Sequence, residues 1–145
     1  MAACILGAAG IAASTVATAP AAHAAANGGC WTYYASPDPR NPRAQMSVTP
    51  CIKKASAGVV APSAKFTKNT HWKTPKGCQI IITAVRAGDR KIMSRKAHAC
   101  PTAATTNKVF TAPTFRATSG QYTTFVLVTK QDELTQNARS QFLKM

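Results

Sequence analysis

The fold of this chain is decided by residues 78–100, which read CQIIITAVRAGDRKIMSRKAHAC. The first half of the stretch is rich in β-branched residues, and the second half is less apolar and more basic. Between the two halves, Ala87-Gly88-Asp89-Arg90 has the composition of a turn. The pattern therefore predicts a β-hairpin whose two ends are joined by a disulfide between Cys78 and Cys100.

The pairing of the two strands depends on the length of this turn. A three-residue turn centred on Asp89 places Cys78 directly across from Cys100, and facing residues in an antiparallel pair are close enough for a disulfide. A two-residue Gly88-Asp89 turn instead places Cys78 across from Ala99. A single β-bulge in the hairpin would reconcile the two registers.

Residues 1–26 differ from the rest of the chain because they contain no Lys, Arg, Asp or Glu. An apolar run from Ile5 to Ile11 leads to small residues that end Ala22-His23-Ala24, which is typical of a secretory signal peptide over residues 1–24. The basic segment that normally precedes the apolar run is missing, so the true start codon could lie upstream of Met1. Ala and Gly dominate the segment, which disfavours a membrane anchor. We predict a single secreted domain over residues 25–145, without an integral membrane segment.

The charge of the chain is strongly unbalanced. Eighteen Lys and Arg residues stand against four Asp and Glu residues, for a formal net charge of +14. Such a surface attracts anionic polymers, among them nucleic acid, acidic glycans and cell-wall polymers, and it also attracts anionic lipid surfaces. The competing interpretation is that the charge only keeps a small exported protein soluble.

The cysteines agree with export. Cys4 lies in the predicted signal peptide, which leaves Cys30, Cys51, Cys78 and Cys100, an even set that predicts two disulfides in an oxidising compartment. Three connectivities are possible, and we favour Cys30–Cys51 and Cys78–Cys100 because each pair brackets a hairpin-sized stretch. No C-x-x-C or H-x-x-x-H spacing occurs. We therefore predict no metal site and no cofactor.

The segments before residue 65 predict further β-structure. Residues 30–35 have the aromatic content of a strand, and we assign Trp31, Tyr33 and Tyr34 to the core. Residues 36–43 contain three prolines, which predict an extended surface loop in which no strand ladder continues. Residues 46–52 alternate like a half-buried strand, placed at a sheet edge by Pro50.

The C-terminal third predicts a second hairpin and a helix. Residues 108–117 turn into residues 121–129, whose apolar side chains on both faces predict a central strand. Asp132 and Glu133 can begin a short helix, in which Leu134, Ala138 and Phe142 recur at a spacing of four. The whole pattern predicts an all-β, disulfide-bonded antiparallel β-sandwich of immunoglobulin-like architecture with a short C-terminal helix. This resemblance concerns architecture alone and implies no function.

Two basic clusters are the candidate binding residues. The first is an exposed loop over residues 65–76 that mixes cations with aromatic rings, a combination used for stacking on bases and sugars. The second surrounds the hairpin tip over residues 86–96. The sequence therefore predicts a non-enzymatic protein that adheres to anionic polymers through Lys65, Lys68, His71, Trp72, Lys73 and Lys76 of the loop and Arg86, Arg90, Lys91, Arg95 and Lys96 of the tip.

Two other classes of function stay open at this point. A small nuclease or other hydrolase could use His71 and His98 as base and acid, with Arg95 or Lys96 holding a phosphate. A protease inhibitor could present residues 36–43 as a rigid loop, with Arg40 or Arg43 filling a specificity pocket. For Trp72 the alternative to a stacking platform is a ring that covers one end of the sandwich.

Overall fold

The computed structural model describes residues 28–31, 34–38, 40–130 and 133–145; the predicted signal peptide lies outside them. The described residues form β-strands and no helix. The strands are β1 (Gly28–Cys30), β2 (Tyr34–Asp38), β3 (Asn41–Ser56), β4 (Val59–Lys68), β5 (Gln79–Arg86), β6 (Ile92–Ala99), β7 (Thr105–Thr111), β8 (Phe115–Arg116), β9 (Gln121–Lys130), β10 (Glu133–Arg139) and β11 (Leu143–Lys144).

The strands form two antiparallel sheets. In the first, which we name sheet I, the order is β1-β3-β4-β7, with β2 also paired to β3 and β8 to β4. In the second, sheet II, the order is β10-β9-β5-β6, with β11 also paired to β9. Strands β4 and β7 are therefore neighbours in sheet I although the β5–β6 hairpin, which separates them in the chain, belongs to sheet II.

Strands β5 and β6 form the hairpin predicted for residues 78–100. Facing pairs run from Gln79 and Ala99 to Ala84 and Ser94, which is the register that sets Cys78 against Cys100. A bulge follows, and Val85 faces Ile92 in the register of the shorter turn. Both registers thus occur in one hairpin, and the bulge joins them.

Both favoured disulfides are present. Cys78–Cys100 closes the open end of the hairpin, where the amide of Cys100 donates to the carbonyl of Cys78 at 3.0 Å. Cys30–Cys51 joins facing residues of β1 and β3. Two disulfides indicate an oxidising compartment.

The core lies between the two sheets and is built from alternate residues. Every second residue of β4 and β5 points inward, because side chains alternate between the faces of a strand. Phe66 and Met46 of sheet I pack in one buried cluster with Ile82, Val126 and Val128 of sheet II. Burying one such side chain contributes about 1.5–3 kcal/mol, so the sandwich-like arrangement of the sheets is held by this layer.

The predicted C-terminal helix is wrong, because Glu133–Arg139 form strand β10. Ala138 is buried and faces Val126 of the central strand β9. A spacing of four residues fits one face of a helix and also one face of a regular strand, so the sequence pattern does not separate the two. In β10 a bulge between Leu134 and Gln136 interrupts the regular alternation. The backbone amides and carbonyls along the free edge of β9 need hydrogen-bond partners, and a strand at residues 133–139 supplies them where a helix would not.

Two predictions about proline are also wrong. Residues 36–43 do not form a loop without ladder pairing, since Pro37 of β2 faces Gln45 of β3. Strand β3 is not an edge strand, because β4 flanks it on one side and β1 and β2 on the other. On that side, Pro50 lies between the residues of β3 that pair with β1 and those that pair with β2.

The predicted hairpin of residues 108–117 and 121–129 is wrong as well. Strands β7 and β8 pair with β4 in sheet I, whereas β9 lies in sheet II between β5 and β10. The central position predicted for β9 is confirmed. A strand with apolar side chains on both faces is typical of the interior of a sheet, where it pairs with a strand on each side. For β9 these strands are β5 and β10.

The sequence predicts core positions for Trp31 and the two tyrosines after it. Trp31 is 43% exposed, so the prediction is wrong for this residue. Tyr33 and the side chain of Tyr34 lie outside the described residues.

Within the described part of the chain, no helix is long and apolar enough to cross a membrane. The same part contains no group of three or more His, Cys, Asp or Glu side chains that could hold a metal ion.

Candidate functional site

The tip of the β5–β6 hairpin is organised by an ion pair. Arg86 donates from Nε to Oδ1 of Asp89 at 3.0 Å and pairs with Oδ2 through a second nitrogen. The Lys91 amide also donates to Asp89, at 3.2 Å. The Arg86 guanidinium holds the pKa of the Asp89 carboxyl well below its usual range. Arg86 is thus engaged within the turn, and Arg90 and Lys91 are the exposed cations of the tip.

Strand β6 carries the other two predicted cations of the tip cluster. Arg95 faces Thr83, and Lys96 faces Ile82, whose side chain points into the core. Adjacent residues of a strand point to opposite faces, so Arg95 lies on the outer face of sheet II and Lys96 on its inner face. Both are exposed because β6 is the last strand of the sheet. The edge of sheet II therefore presents positive charge on both faces.

Lys108 is a cation beside this edge that the sequence did not identify. Its Nζ lies 5.5 Å from the centroid of the Phe110 ring, and the His98 ring contacts the same phenylalanine with centroids 5.1 Å apart. His98 and Lys96 lie on the same face of β6, two residues apart. Lys108 and Phe110 are two residues apart on β7 and therefore share one face of the strand. This spacing points to a basic surface beside β6 only once β7 is known to lie near β6.

The predicted loop over residues 65–76 divides into a strand and a true loop. Lys65 and Lys68 belong to β4, and only Lys65 is exposed. Lys68 is 4% exposed, and its Nζ donates to Thr74 Oγ1 at 2.9 Å and to the Thr102 carbonyl at 2.8 Å. Burial, and to a lesser degree the charge of Lys73, lower the pKa of Lys68. Lys68 therefore holds two connecting segments together and does not face a ligand.

Trp72 is packed against the core. Its ring meets Phe66 edge-on with centroids 6.3 Å apart, and Lys68 Nζ lies 5.3 Å from its centroid. The amides of His71 and Trp72 both donate to Oδ1 of Asn69, which fixes the start of the loop. The Trp72 ring is half-buried and packs on Phe66, which favours a ring that covers one end of the sandwich over a free stacking platform. The loop keeps three exposed members of the predicted cluster: His71, Lys73 and Lys76.

The structure does not bring the two basic clusters together. The loop ends at Cys78, beside the disulfide, whereas the tip lies beyond Arg86 at the other end of β5. Eight residues separate these ends. At a rise of about 3.3 Å per residue the separation is about 26 Å. A compact ligand therefore cannot contact both the loop and the turn residues Arg90 and Lys91, although an extended polymer could. Lys96 faces Ile82 and lies about 13 Å along the hairpin from Cys78, between the two ends.

The residues that a hydrolase or a protease inhibitor would use lie in different parts of the structure. His98 Nε2 lies 2.8 Å from the Thr111 carbonyl, and because a carbonyl only accepts, this nitrogen carries the hydrogen. His98 thereby links β6 to β7, while His71 is an exposed loop residue. For an inhibitor, residues 36–43 belong mainly to the β2–β3 hairpin, with Arg40 at its turn and Arg43 exposed on β3.

Comparison with protein-family models, with curated proteins and with solved structures finds no match to this chain.

Proposed function

We propose that the protein is a secreted, non-enzymatic binding protein that holds extended anionic polymers along the edge strand β6 and the adjoining hairpin tip. The observation that carries this proposal is the charge along one edge of sheet II. Four exposed cations, Arg90, Lys91, Arg95 and Lys96, follow one another there, and the carboxylate of the turn, Asp89, is already paired with Arg86.

The partner class follows from the shape of this surface. Charges on both faces of an edge strand suit a polymer that runs along the strand, such as nucleic acid, an acidic glycan or an anionic cell-wall polymer. Lys108 extends the charge onto sheet I, and Lys73 and Lys76 offer a second contact at the far end of the hairpin. Four contacts to a nucleic-acid backbone predict that the logarithm of affinity falls with the logarithm of salt with a slope of about −3.6.

A second role for the same charges is protection of the edge. Among the residues that the structure describes, β6 has no partner strand on its outer edge, and Ile92 on this strand is 56% exposed. Exposed lysines and arginines are a common means of preventing such strands from pairing with another chain. The two roles predict different results, because loss of protection leads to aggregation and loss of a contact leads to weaker polymer binding by a monomer.

The proposal includes an immunoglobulin-like architecture, which two features support. Sheet I contains the order β3-β4-β7 and sheet II the order β6-β5-β9-β10. The chain crosses from sheet I to sheet II after β4, returns for β7 and β8, and crosses again to β9, as in a Greek-key sandwich. At the start of β9 the hydroxyl of Tyr122 donates to the Thr118 carbonyl at 3.0 Å, as in the tyrosine corner of such domains. Each disulfide, however, bridges segments of a single sheet, Cys30–Cys51 in sheet I and Cys78–Cys100 in sheet II, unlike the inter-sheet disulfide of antibody domains.

Secretion is the setting in which this binding would occur. The two disulfides support it because they persist in oxidising compartments outside the cytosol. Expression of the full chain with and without residues 1–24 tests this part of the proposal. Export should require these residues, and export of the truncated chain would contradict the predicted signal peptide.

Binding is tested with a double variant and a matched control. Arg95→Gln with Lys96→Gln removes two charges from β6, and Lys53→Gln with Lys54→Gln removes two exposed charges from β3. Affinities for heparin and for duplex DNA are measured by fluorescence anisotropy at physiological salt. At about 1 kcal/mol for each contact, the β6 variant should bind roughly thirtyfold more weakly and the β3 variant should be unchanged. Equal losses in both variants, or no binding by the wild type even at low salt, would refute the proposal.

A further inference from the structure

A groove lies on the outer face of sheet II, at the end that carries the hairpin tip. Its volume is about 510 Å³, which is within the range of sites for small ligands. The walls come from the end of β5 and its turn, from β9, and from the C-terminal segment. The lining residues are Val85, Ala87, Arg90, Thr123, Phe125, Arg139 and Phe142.

The floor of the groove is apolar. Val85 and Phe125 belong to neighbouring strands and point away from the core, since Ala84 and Val126 beside them point into it. Phe142 supplies a second ring from the segment between β10 and β11. Ile92, the residue that faces Val85 across the hairpin, continues the apolar surface and is more than half exposed.

The polar groups of the groove are mainly cationic. Arg90 and Arg139 are among the lining residues, and none of these residues is a carboxylate. The guanidinium of Arg139 lies over the Phe142 ring, 4.9 Å from its centroid, so this cation is placed against the apolar wall. Arg95 shares a cross-strand row with Thr83, Phe125 and Arg139, which adds a third arginine on the same face of the sheet.

The segment that carries Phe142 is fixed by buried hydrogen bonds. The Ser140 hydroxyl accepts a hydrogen bond from the Thr124 amide at 2.9 Å, and the Ser140 amide donates to the Thr124 carbonyl at 2.8 Å. Ser140 is fully buried. Arg139 and Phe142 are therefore attached to an ordered part of sheet II, which is what a preformed site requires.

From this combination we infer that the groove binds a small organic anion in which one carboxylate, sulfonate or phosphate is joined to an apolar body. The apolar body lies on Val85, Phe125 and Phe142, and the anionic group is held by Arg90 and Arg139. Guanidinium groups suit this purpose because they pair with such anions through two parallel hydrogen bonds. This site adjoins the polymer surface on β6: Arg90 belongs to both, and Arg95 lies at the border of the groove without lining it.

The dye 8-anilinonaphthalene-1-sulfonate is a suitable probe because it combines a sulfonate with an aromatic body and fluoresces in apolar surroundings. We expect one dye to bind per chain. Chemical-shift changes in the amide spectrum should be confined to residues around the groove, including Ala87, Thr123 and Phe125. Competition separates the two parts of the ligand: naphthalene-1-sulfonate should displace the dye, whereas neutral naphthalene-1-methanol and methanesulfonate, which lacks the apolar body, should not do so at the same concentration.

Two variants test the arginines. Arg90→Asn suits the backbone of this residue, whose φ of 57° lies in the left-handed region that asparagine tolerates. Arg139→Gln removes the second guanidinium. Each should weaken dye binding about tenfold, the effect of losing a charge-assisted hydrogen bond. Arg116→Gln, an exposed arginine of sheet I, is the matched control and should bind the dye like the wild type.

The outcomes either support the site or overturn it. Unchanged dye affinity in both groove variants, or an equal loss in Arg116→Gln, would overturn it. The site would also be overturned if naphthalene-1-methanol or methanesulfonate displaced the dye as effectively as naphthalene-1-sulfonate does. The Arg95→Gln and Lys96→Gln double variant should keep its dye affinity within a few-fold while losing polymer binding. Failure of the groove and failure of the polymer surface are therefore distinguishable.

Discussion

Replacement of Lys68 by methionine tests whether this residue is structural, as its burial indicates, or contacts a ligand, as its place in a basic stretch first predicts. Lys68→Met keeps the length of the side chain and removes the ammonium. The variant loses the hydrogen bonds to Thr74 and to the Thr102 carbonyl, together with the contact between the cation and the Trp72 ring.

The size of the effect follows from these contacts. A hydrogen bond to a charged group contributes about 1.5–3 kcal/mol. Part of this loss is offset, because the variant no longer buries an ammonium. Thr74 Oγ1 also keeps its bond to the Pro101 carbonyl, and the exposed Thr102 can be hydrated. We therefore expect a net destabilisation of about 2 kcal/mol, which for a domain of this size lowers Tm by roughly 8 °C.

The assay is urea and thermal unfolding followed by circular dichroism, with Lys65→Met as the control. Lys65 lies three residues earlier on the same strand and is exposed, so its replacement should change the free energy of unfolding by less than about 0.5 kcal/mol. The reasoning is refuted if Lys68→Met is as stable as Lys65→Met. Weaker heparin binding by a Lys68→Met variant of unchanged stability would show that the ammonium reaches the ligand after all.

Three further predictions concern other parts of the molecule. The Thr124 hydroxyl is buried and has no hydrogen-bond partner among the described residues. Thr124→Val should therefore raise the free energy of unfolding, measured by urea denaturation, by about 1 kcal/mol; a destabilised variant would indicate a partner. Replacing Cys78 and Cys100 by serine should cost about 3 kcal/mol, as expected for a loop of this length, and an unchanged urea midpoint would contradict the pairing. Asp89 should titrate below its ordinary pKa of 3.8 in carboxyl NMR spectra. Its stabilising effect is present above that value and fades as pH falls through the lower folded pKa; the Arg86→Gln variant should restore ordinary titration, and a wild-type pKa already near 3.8 would refute the ion pair.

The β5–β6 hairpin and both disulfides were predictable because the information for them is local. Turn residues and β-branched strands lie within one short stretch, and the cysteines at its ends limit the register. Even the bulge followed from a conflict between two local rules, one from Cys78 and Cys100 and one from Gly88-Asp89.

The partners of the later strands were not predictable in the same way. Strand β7 pairs with β4, and β9 pairs with β5, so each choice depends on residues far away in the sequence. The C-terminal segment shows the same limit, because a spacing of four does not distinguish a strand from a helix when the pairing edge of β9 is unknown.

The candidate site was predictable in its charge but not in its exposure. The exposed cations of β6 were identified from composition and from their place near a turn. The burial of Lys68 has a signal in the sequence: Val60, Pro62, Ala64 and Phe66 are apolar at every second position, and the next position in this series is Lys68. The groove could not be found from sequence, because Arg90, Phe125 and Arg139 meet only through the pairing of β9 with β5 and β10.

The salt dependence of polymer binding tests the central claim most directly. Affinity for duplex DNA is measured over a series of salt concentrations for the wild type and for the double variants on β6 and β3. If Arg95 and Lys96 contact the polymer, their replacement should make the slope shallower by about 1.8, while the Lys53 and Lys54 variant keeps the wild-type slope. Parallel slopes for all three proteins would contradict binding along β6.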